Sequence, residues 1–382
     1  MLVALLPAAA MACMWDYDTL IQERSRFPST LELITGKFLR HSPEFYQWRI
    51  RDRLEKLKAS PNDPALYDDL AVAYEKTGQH AKAIETMLAK EKLFPGLYET
   101  YSNLGTFHIL AGDFELGLPL IDKALAINPE AHFGREKYQK WLVEYALSKH
   151  LDESLYFPLR SEDDPRTEYA PKFSDFLARK FGQQSLTLLQ VQNAIQAVLG
   201  MMRFADHDNP LLLEALGDLL LNDERPANDA KALAARCYLK ASYDKRFFVN
   251  GDAYRKLAEH ALTMQLPYGH NDNQKLALVE STFKTELEDA DAWFAELNAK
   301  EAEWIRSGLN ADVEFDKLYS TEPQALGRIT ETTTDVLRRW SLTFEFQAGF
   351  ACFVFTLFVS LTSLWLIRRL VRRRRRIRLS QS

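Results

Sequence analysis

The chain has 382 residues, with 48 Lys and Arg against 53 Asp and Glu. This length is sufficient for two or three domains, and the acidic balance argues against nucleic acid as a partner. The cysteines, Cys13, Cys237 and Cys352, provide neither a disulfide framework nor a metal-type Cys pair.

Residues 1–13 are predicted to be an export segment. They form a short apolar run that ends in Ala10-Met11-Ala12, a cleavage pattern, just before Cys13. The same residues loosely resemble a bacterial lipobox, in which Cys13 would be acylated. No Lys or Arg precedes Arg24, so the basic start of a signal peptide is missing. Either the true start lies upstream of Met1, or the run is an ordinary N-terminus.

Residues 64–131 superimpose on themselves at a shift of 34. The matching positions are Tyr67 with Tyr101, Leu70 with Leu104, Ala71 with Gly105, Gly78 with Gly112, Met87 with Ile121, and Pro95 with Pro129. Small residues at 71 and 105 indicate a close approach of two helices. Gly78 and Gly112 are predicted to end the first helix of each pair in a left-handed conformation.

A 34-residue period of helix, turn, helix and proline resembles the tetratricopeptide repeat. The resemblance implies an all-α domain at 14–150, with clear repeats over 64–130. A degenerate repeat precedes them, and its helix begins near Pro43. After residue 131 the pattern fades into an amphipathic helix that includes Tyr138, Trp141 and Leu142, which is suited to capping the stack.

The resemblance also implies a concave peptide-binding face. The candidate peptide-binding residues are Asp68, Val72, Glu75, Ser102, Asn103, Thr106 and Ile109. Family members that clamp a peptide's terminal carboxylate use Lys and Asn here, whereas this chain keeps only Asn103. The departure favours a basic or apolar peptide. The alternative is that these positions are merely solvated helix faces.

The rest of the chain up to residue 342 is predicted to be mainly helical. Residues 151–172 are charged, contain three prolines and are interpreted as a linker. A second helical domain at 173–265 includes a divergent tetratricopeptide-like hairpin at 210–242. Apolar residues at steps of three and four from Leu276 to Trp304 predict a long amphipathic helix, or a coiled coil, within juxtamembrane helices at 271–342. Glu301 interrupts its apolar face, and Gly308 ends it.

Residues 348–367 are predicted to form a transmembrane helix. They contain twenty consecutive uncharged residues, and twenty residues of helix span about 30 Å, the thickness of the hydrocarbon layer. The tail at 368–382 carries eight arginines, from Arg368 to Arg378. Flanking basic residues stay in the cytoplasm and are attracted to anionic lipid. The sequence therefore predicts a single-pass protein with an extracytoplasmic, periplasmic domain and a cytoplasmic C-terminus.

Catalytic chemistry is not indicated. The chain lacks H-E-x-x-H, phosphate-loop and G-x-S-x-G motifs, and we expect no enzyme activity, cofactor or catalytic metal. Residues 206–209 and 270–273 have cation-ligand types, but they are interpreted as turn and cap residues. His108, Trp141, Trp293 and Trp304 are interpreted as packing residues.

These observations predict a membrane-anchored scaffold or adaptor that binds an unidentified protein through a tetratricopeptide-like domain. The alternative is a non-catalytic accessory subunit of a membrane enzyme or transport complex. A single stoichiometric membrane partner recovered with the ectodomain would favour the accessory subunit.

The Arg-rich tail generates a prediction about topology. A reporter that is active only in the cytoplasm should work when fused after Ser382 and fail when inserted near Asp163, because the arginines resist transfer across the membrane. Fluorescence or enzyme activity of the two fusions measures this directly. The opposite pattern would contradict the orientation.

Overall fold

A computed structural model describes residues 14–19, 26–129, 134–149, 156–159, 172–223, 229–263 and 272–321. All of them belong to the first of two compact units, Met1–Thr321 and Glu322–Ser382. Within these ranges, no helix combines the length and the apolar character needed to cross a bilayer. The predicted span at 348–367, the Arg-rich tail, the export segment at 1–13 and most of the linker lie outside the described residues.

The described unit is all-α, as the sequence predicts. The first seven helices are α1 (Thr30–Thr35), α2 (Pro43–Ala59), α3 (Pro64–Lys76), α4 (His80–Leu93), α5 (Tyr98–Leu110), α6 (Phe114–Ile127) and α7 (Arg135–Ser148). The next are α8 (Phe173–Lys180), α9 (Leu188–Phe204), α10 (Pro210–Leu221), α11 (Ala230–Ser242), α12 (Gly251–Thr263), α13 (Asp272–Arg306) and α14 (Ala311–Thr321). Two short strands, β1 (Tyr156–Phe157) and β2 (Phe248–Val249), pair in parallel.

The turns between the repeat helices follow from local sequence. Helices α2 and α3 both start with proline at the first position, and the caps Ser42 and Asp63 accept main-chain hydrogen bonds there. Gly78 and Gly112 have φ angles of 73° and 82°, the left-handed conformation predicted for them. The helix ends at 76 and 110 therefore lie where the repeat pattern predicts.

Small residues allow the paired helices to approach closely. Helix α3 packs on α4, and α5 packs on α6. A Cβ atom added to Gly105 would lie 2.9 Å from the main-chain nitrogen of Ile121, and one added to Gly117 would lie 2.9 Å from the main-chain oxygen of Gly105. Ala71 is fully buried at the equivalent position. The predicted role of positions 71 and 105 in helix contact is confirmed.

The second half contains the largest hydrophobic core, to which α9, α10, α11 and α12 all contribute. The divergent hairpin predicted at 210–242 is present as α10 and α11, which pack on each other. Gly217 again permits the contact, since a Cβ atom there would lie 2.7 Å from the ring of Tyr238.

The long helix α13 packs against helices from both the early and the late part of the described chain. It contacts α1 and α2 as well as α11 and α12, and it ends before Gly308, whose φ is 72°. The segment after Gly308, within the range 271–342 that is predicted to contain helices, forms α14, and Phe315 of that helix is buried with Leu297 of α13. Trp293 and Trp304 pack against this cluster, which confirms their packing role.

The helix contact at Gly105 generates a stability prediction. Gly105→Leu should destabilise the domain by about 1–3 kcal/mol or more, because even the first side-chain carbon meets the backbone of Ile121. Thermal melts of the protein measure the change. Ala126→Leu, on the exposed side of α6, is the matched control and should melt close to wild type. Equal melting temperatures for both variants would contradict the close helix contact.

Candidate functional site

The candidate site is the face formed by α3 and α5, and it is not open. All seven residues named from the sequence are buried: Asp68, Val72, Glu75, Ser102, Asn103, Thr106 and Ile109. The expectation that these side chains are exposed is therefore wrong. The sequence pattern locates the face but does not reveal what covers it.

Part of the cover is an N-terminal segment of the same chain, Met14–Thr19, which we call the docked segment. Asn103 holds its main chain through both ends of one side-chain amide. The Trp15 amide donates to Asn103 Oδ1 at 2.8 Å, and Asn103 Nδ2 donates to the Trp15 carbonyl at 3.0 Å. Such a pair binds the main chain of residue 15 whatever its side chain is, just before the helical turn at 17–19. Asn103 therefore holds the main chain of the docked segment at Trp15.

Apolar side chains of the docked segment pack against α3 and α5. Met14 is buried in a cluster with Val72 of α3 and with Leu104 and Phe107 of α5. Trp15 makes an edge-to-face contact with Tyr98, with ring centroids 5.9 Å apart, a geometry that favours aromatic pairs.

Acidic side chains of the docked segment point to α2. Arg49 donates to both carboxylate oxygens of Asp18, at 2.5 and 2.9 Å, and to Asp312 of α14 at 2.8 Å. Arg53, one helical turn further along, contacts Asp69 and Asp312, each at 2.7 Å. The Arg49 side chain is fully buried, so these contacts take place away from water. We call this set of residues the ionic cluster.

His41 extends the ionic cluster to α13. Its Nδ1 lies 2.7 Å from the carboxylate of Glu301, and its Nε2 lies 3.1 Å from that of Asp18. Burial lowers the pKa of His41, but Asp18 and Glu301 outweigh burial and raise it to about 9, so the imidazole is protonated at neutral pH. Glu301 also accepts the main-chain N–H of Ser42, the cap of α2, at 2.8 Å. The residue that interrupts the apolar face of α13 is therefore a buried partner of the cluster.

Asp16 is the titratable group of the docked segment with the pKa nearest neutrality. Burial, together with the neighbouring Asp18, raises the pKa of its carboxyl group to about 6, although Arg49 opposes the rise. The Asp16 carboxylate accepts the main-chain N–H and the hydroxyl of Thr19, at 2.9 and 3.0 Å. These bonds turn the segment at its end.

The acidic residues predicted to attract a basic peptide already have partners. Lys90 donates to the carboxylate of Asp68 at 2.6 Å, and burial raises the pKa of Asp68 to about 7. His80 lies 2.7 Å from the carboxylate of Glu75. Arg49 of α2 binds the carboxylate of Asp18 in the docked segment, and Asp69 of α3 accepts the main-chain N–H of Tyr17 at 2.9 Å. In this structure the face accommodates a segment with apolar and acidic side chains, whereas the sequence favours a basic or apolar peptide.

Two other candidate residues contact later parts of the chain. The amide of Gln139 on α7 donates to the hydroxyl of Thr106 at 3.1 Å. Ile109 is buried in the large core, close to Gly117. These residues connect the repeat helices to the second half and are not reached by the docked segment. The structure therefore assigns Asn103 and Val72 to the docked segment, whereas Thr106 and Ile109 support the surrounding core.

Residues 206–208 bring three potential cation ligands within 4.8 Å of one another. Their carboxylates, however, have basic partners: Arg246 lies 2.9 Å from Asp206, and Lys240 contacts Asp208. Asn209 accepts the amides of residues 211 and 212 and caps α10, as predicted. Residues 270 and 271 of the second such run lie outside the described residues. His108 is partly buried and lies 3.5 Å from Asp113.

The docked segment and the ionic cluster are absent from the sequence-based prediction. Arg49 and Arg53 are one helical turn apart, which places them on one face of α2, and aspartates alternate with aromatic residues in the run from 14 to 19. These signals are visible in the sequence. Their pairing is not, because it joins residues up to 263 positions apart. No model of a known protein family matches the chain, and no curated protein matches it either.

The Asn103 contact generates a prediction. Asn103→Ala should weaken docking of the segment by about 1–3 kcal/mol, because the Trp15 amide and carbonyl lose their partners. Hydrogen exchange of the Trp15 amide should become faster, while the amides of α5 stay protected. Asn128→Ala, an exposed change at the end of α6, serves as the control. Unchanged exchange at Trp15 would show that the side-chain amide does not hold the segment.

Proposed function

We propose that this protein is a membrane-tethered interaction adaptor whose tetratricopeptide-like hairpins hold an extended segment of a partner protein. The observation that carries the proposal is the pair of hydrogen bonds from Asn103 to the main chain of Trp15. A side chain that binds both main-chain polar groups of one residue fixes the position of the chain at that residue. Pockets on either side then select the side chains.

The chemistry around the docked segment defines the partner. Val72, Leu104 and Phe107 surround an apolar side chain, Tyr98 contacts an aromatic ring, and Arg49 binds a carboxylate. The partner segment that fits is therefore acidic and aromatic, of the same kind as residues 14–18. The docked segment occupies the face until such a partner displaces it.

Displacement of the docked segment does not leave Arg49 or Arg53 without a carboxylate partner, which supports this exchange. When the docked segment leaves, Arg49 retains Asp312 at 2.8 Å, and Arg53 retains Asp69 and Asp312. A buried guanidinium without any carboxylate would be costly, by several kcal/mol. The cluster keeps enough anions to remain folded with the face empty.

The proposed attachment to the membrane is supported by the sequence. The uncharged run at 348–367 and the arginines after it support a membrane anchor with anionic lipid at its cytoplasmic side. An anchor would concentrate the adaptor near membrane partners. The proposal assigns no catalytic role to the protein.

Releasing the docked segment tests the proposed function. The double variant Trp15→Ala, Asp18→Asn removes the aromatic contact and the bidentate ion pair. In the full-length protein in detergent, it should bind a labelled peptide MWDYDT at least about tenfold more tightly than wild type. The reason is that a tethered competitor acts at roughly millimolar effective concentration. Fluorescence anisotropy measures the affinity.

Two controls complete the test. Leu54→Ala with Glu55→Gln, both exposed on α2, should bind the peptide as weakly as wild type. The peptide MWNYNT, which lacks both carboxylates, should bind the release variant more weakly than MWDYDT. A folded release variant, judged by its thermal melt, that binds neither peptide would contradict the proposed function.

A further inference from the structure

A cavity of about 290 Å³ lies beside the docked segment, on a different side from the Asn103 contact. The docked segment contributes Asp16 and Asp18 to its wall, and α9 contributes Met202. Apolar side chains make up much of the rest: Phe38, Pro43, Tyr46, Val72, Phe204 and Phe294. The other lining side chains are polar or charged, and a concave space of this size is typical of a site for a small ligand.

Two half-buried cations in the wall, Arg40 and Lys76, bond to main-chain oxygens. Lys76 donates to the main-chain oxygens of Phe204 and Ala205, at 2.6 and 3.0 Å. Arg40 donates to the main-chain oxygen of Gly36, and its guanidinium carbon lies 3.4 Å from the centre of the Phe294 ring. Among the described residues, neither cation has a carboxylate within 4 Å.

Three fully buried cations of this protein have carboxylate partners instead. Arg49, Arg53 and Lys90 lie 2.5, 2.7 and 2.6 Å from carboxylate oxygens. Burial lowers the pKa of Lys76, and it lowers that of Arg40 to about 10, so desolvation of both cations is incompletely compensated. A buried cation that bonds only to neutral carbonyls is stabilised when an anion is bound beside it.

The acidic groups of the wall do not supply that anion. Asp18 is bound by Arg49, and Asp206 is bound by Arg246 at 2.9 Å. The Asp16 carboxylate is satisfied by Thr19. The wall therefore contains four cations, Arg40, His41, Lys76 and Arg203, against three carboxylates, which leaves it net positive.

We infer that the cavity binds a small organic oxyanion with an apolar body, its charged end at Arg40 and Lys76. Aromatic carboxylates have this chemistry. The apolar body would lie against Phe38, Tyr46 and Phe294, while the carboxylate would accept hydrogen bonds from the ammonium and guanidinium groups. Asn103 does not line the cavity, whereas Asp16 and Asp18 of the docked segment do, so the inference concerns the protein with the docked segment in place.

Binding of 4-fluorobenzoate to the full-length protein in detergent tests the inference, with ¹⁹F NMR as the readout. We expect saturable binding at millimolar concentration and at least about tenfold weaker binding of the neutral 4-fluorobenzamide. Lys76→Met, which keeps the length of the side chain and removes the charge, should reduce benzoate affinity by about tenfold or more. Arg40→Gln should act in the same direction.

Lys82→Met is the matched control, because Lys82 is exposed on α4 and does not line the cavity. It should bind 4-fluorobenzoate as wild type does. Melting temperatures of all variants identify any that fail to fold, and the two independent cavity variants guard against a misfolded one. Equal binding of the acid and the amide, or no saturable binding of the acid by folded wild type, would overturn the inference. Normal binding by folded variants of both cations would overturn it as well.

Discussion

The fold depends on the burial of two guanidinium groups on α2. Arg49 and Arg53 lie one turn apart on the face that turns away from water, and each requires carboxylates brought from elsewhere in the chain. Those carboxylates come from the docked segment, from α3 and from α14. The energetic requirement to pair these charges therefore determines which distant parts of the chain meet, and hydrophobic packing then completes the contacts.

The docked segment combines two kinds of recognition. Asn103 binds its backbone, which is independent of sequence, while Arg49 and the cluster around Val72 select side chains. Buried ion pairs contribute more to specificity than to net stability, because desolvation offsets much of the attraction. A segment held in this way has a defined register and can still be exchanged for another segment of the same chemistry.

The sequence predicted the local structure more fully than the site. Helix starts at Pro43 and Pro64, and the left-handed glycines at 78 and 112, follow from interactions within one or two turns. The covering of Asp68 and Glu75 was not predicted, because it depends on their pairing with Lys90 and His80, which the repeat pattern does not indicate. Glu301 illustrates the same limit. Read alone, it breaks an apolar pattern, and in the fold it is a buried acceptor for His41 and Ser42.

The hydroxyl of Tyr17 donates to the carboxylate of Asp316 at 2.7 Å, across 299 positions of the chain. The first and last described segments of the unit therefore lie side by side. A mechanical load applied between these two points would act across Tyr17–Asp316 and the neighbouring Arg49–Asp312 contact, and it would not stretch the helices in between. The contacts at this junction should then break one after another, at a lower force than in a fold whose pulling points lie on opposite sides. The helical core would stay intact while the two ends of the unit separate.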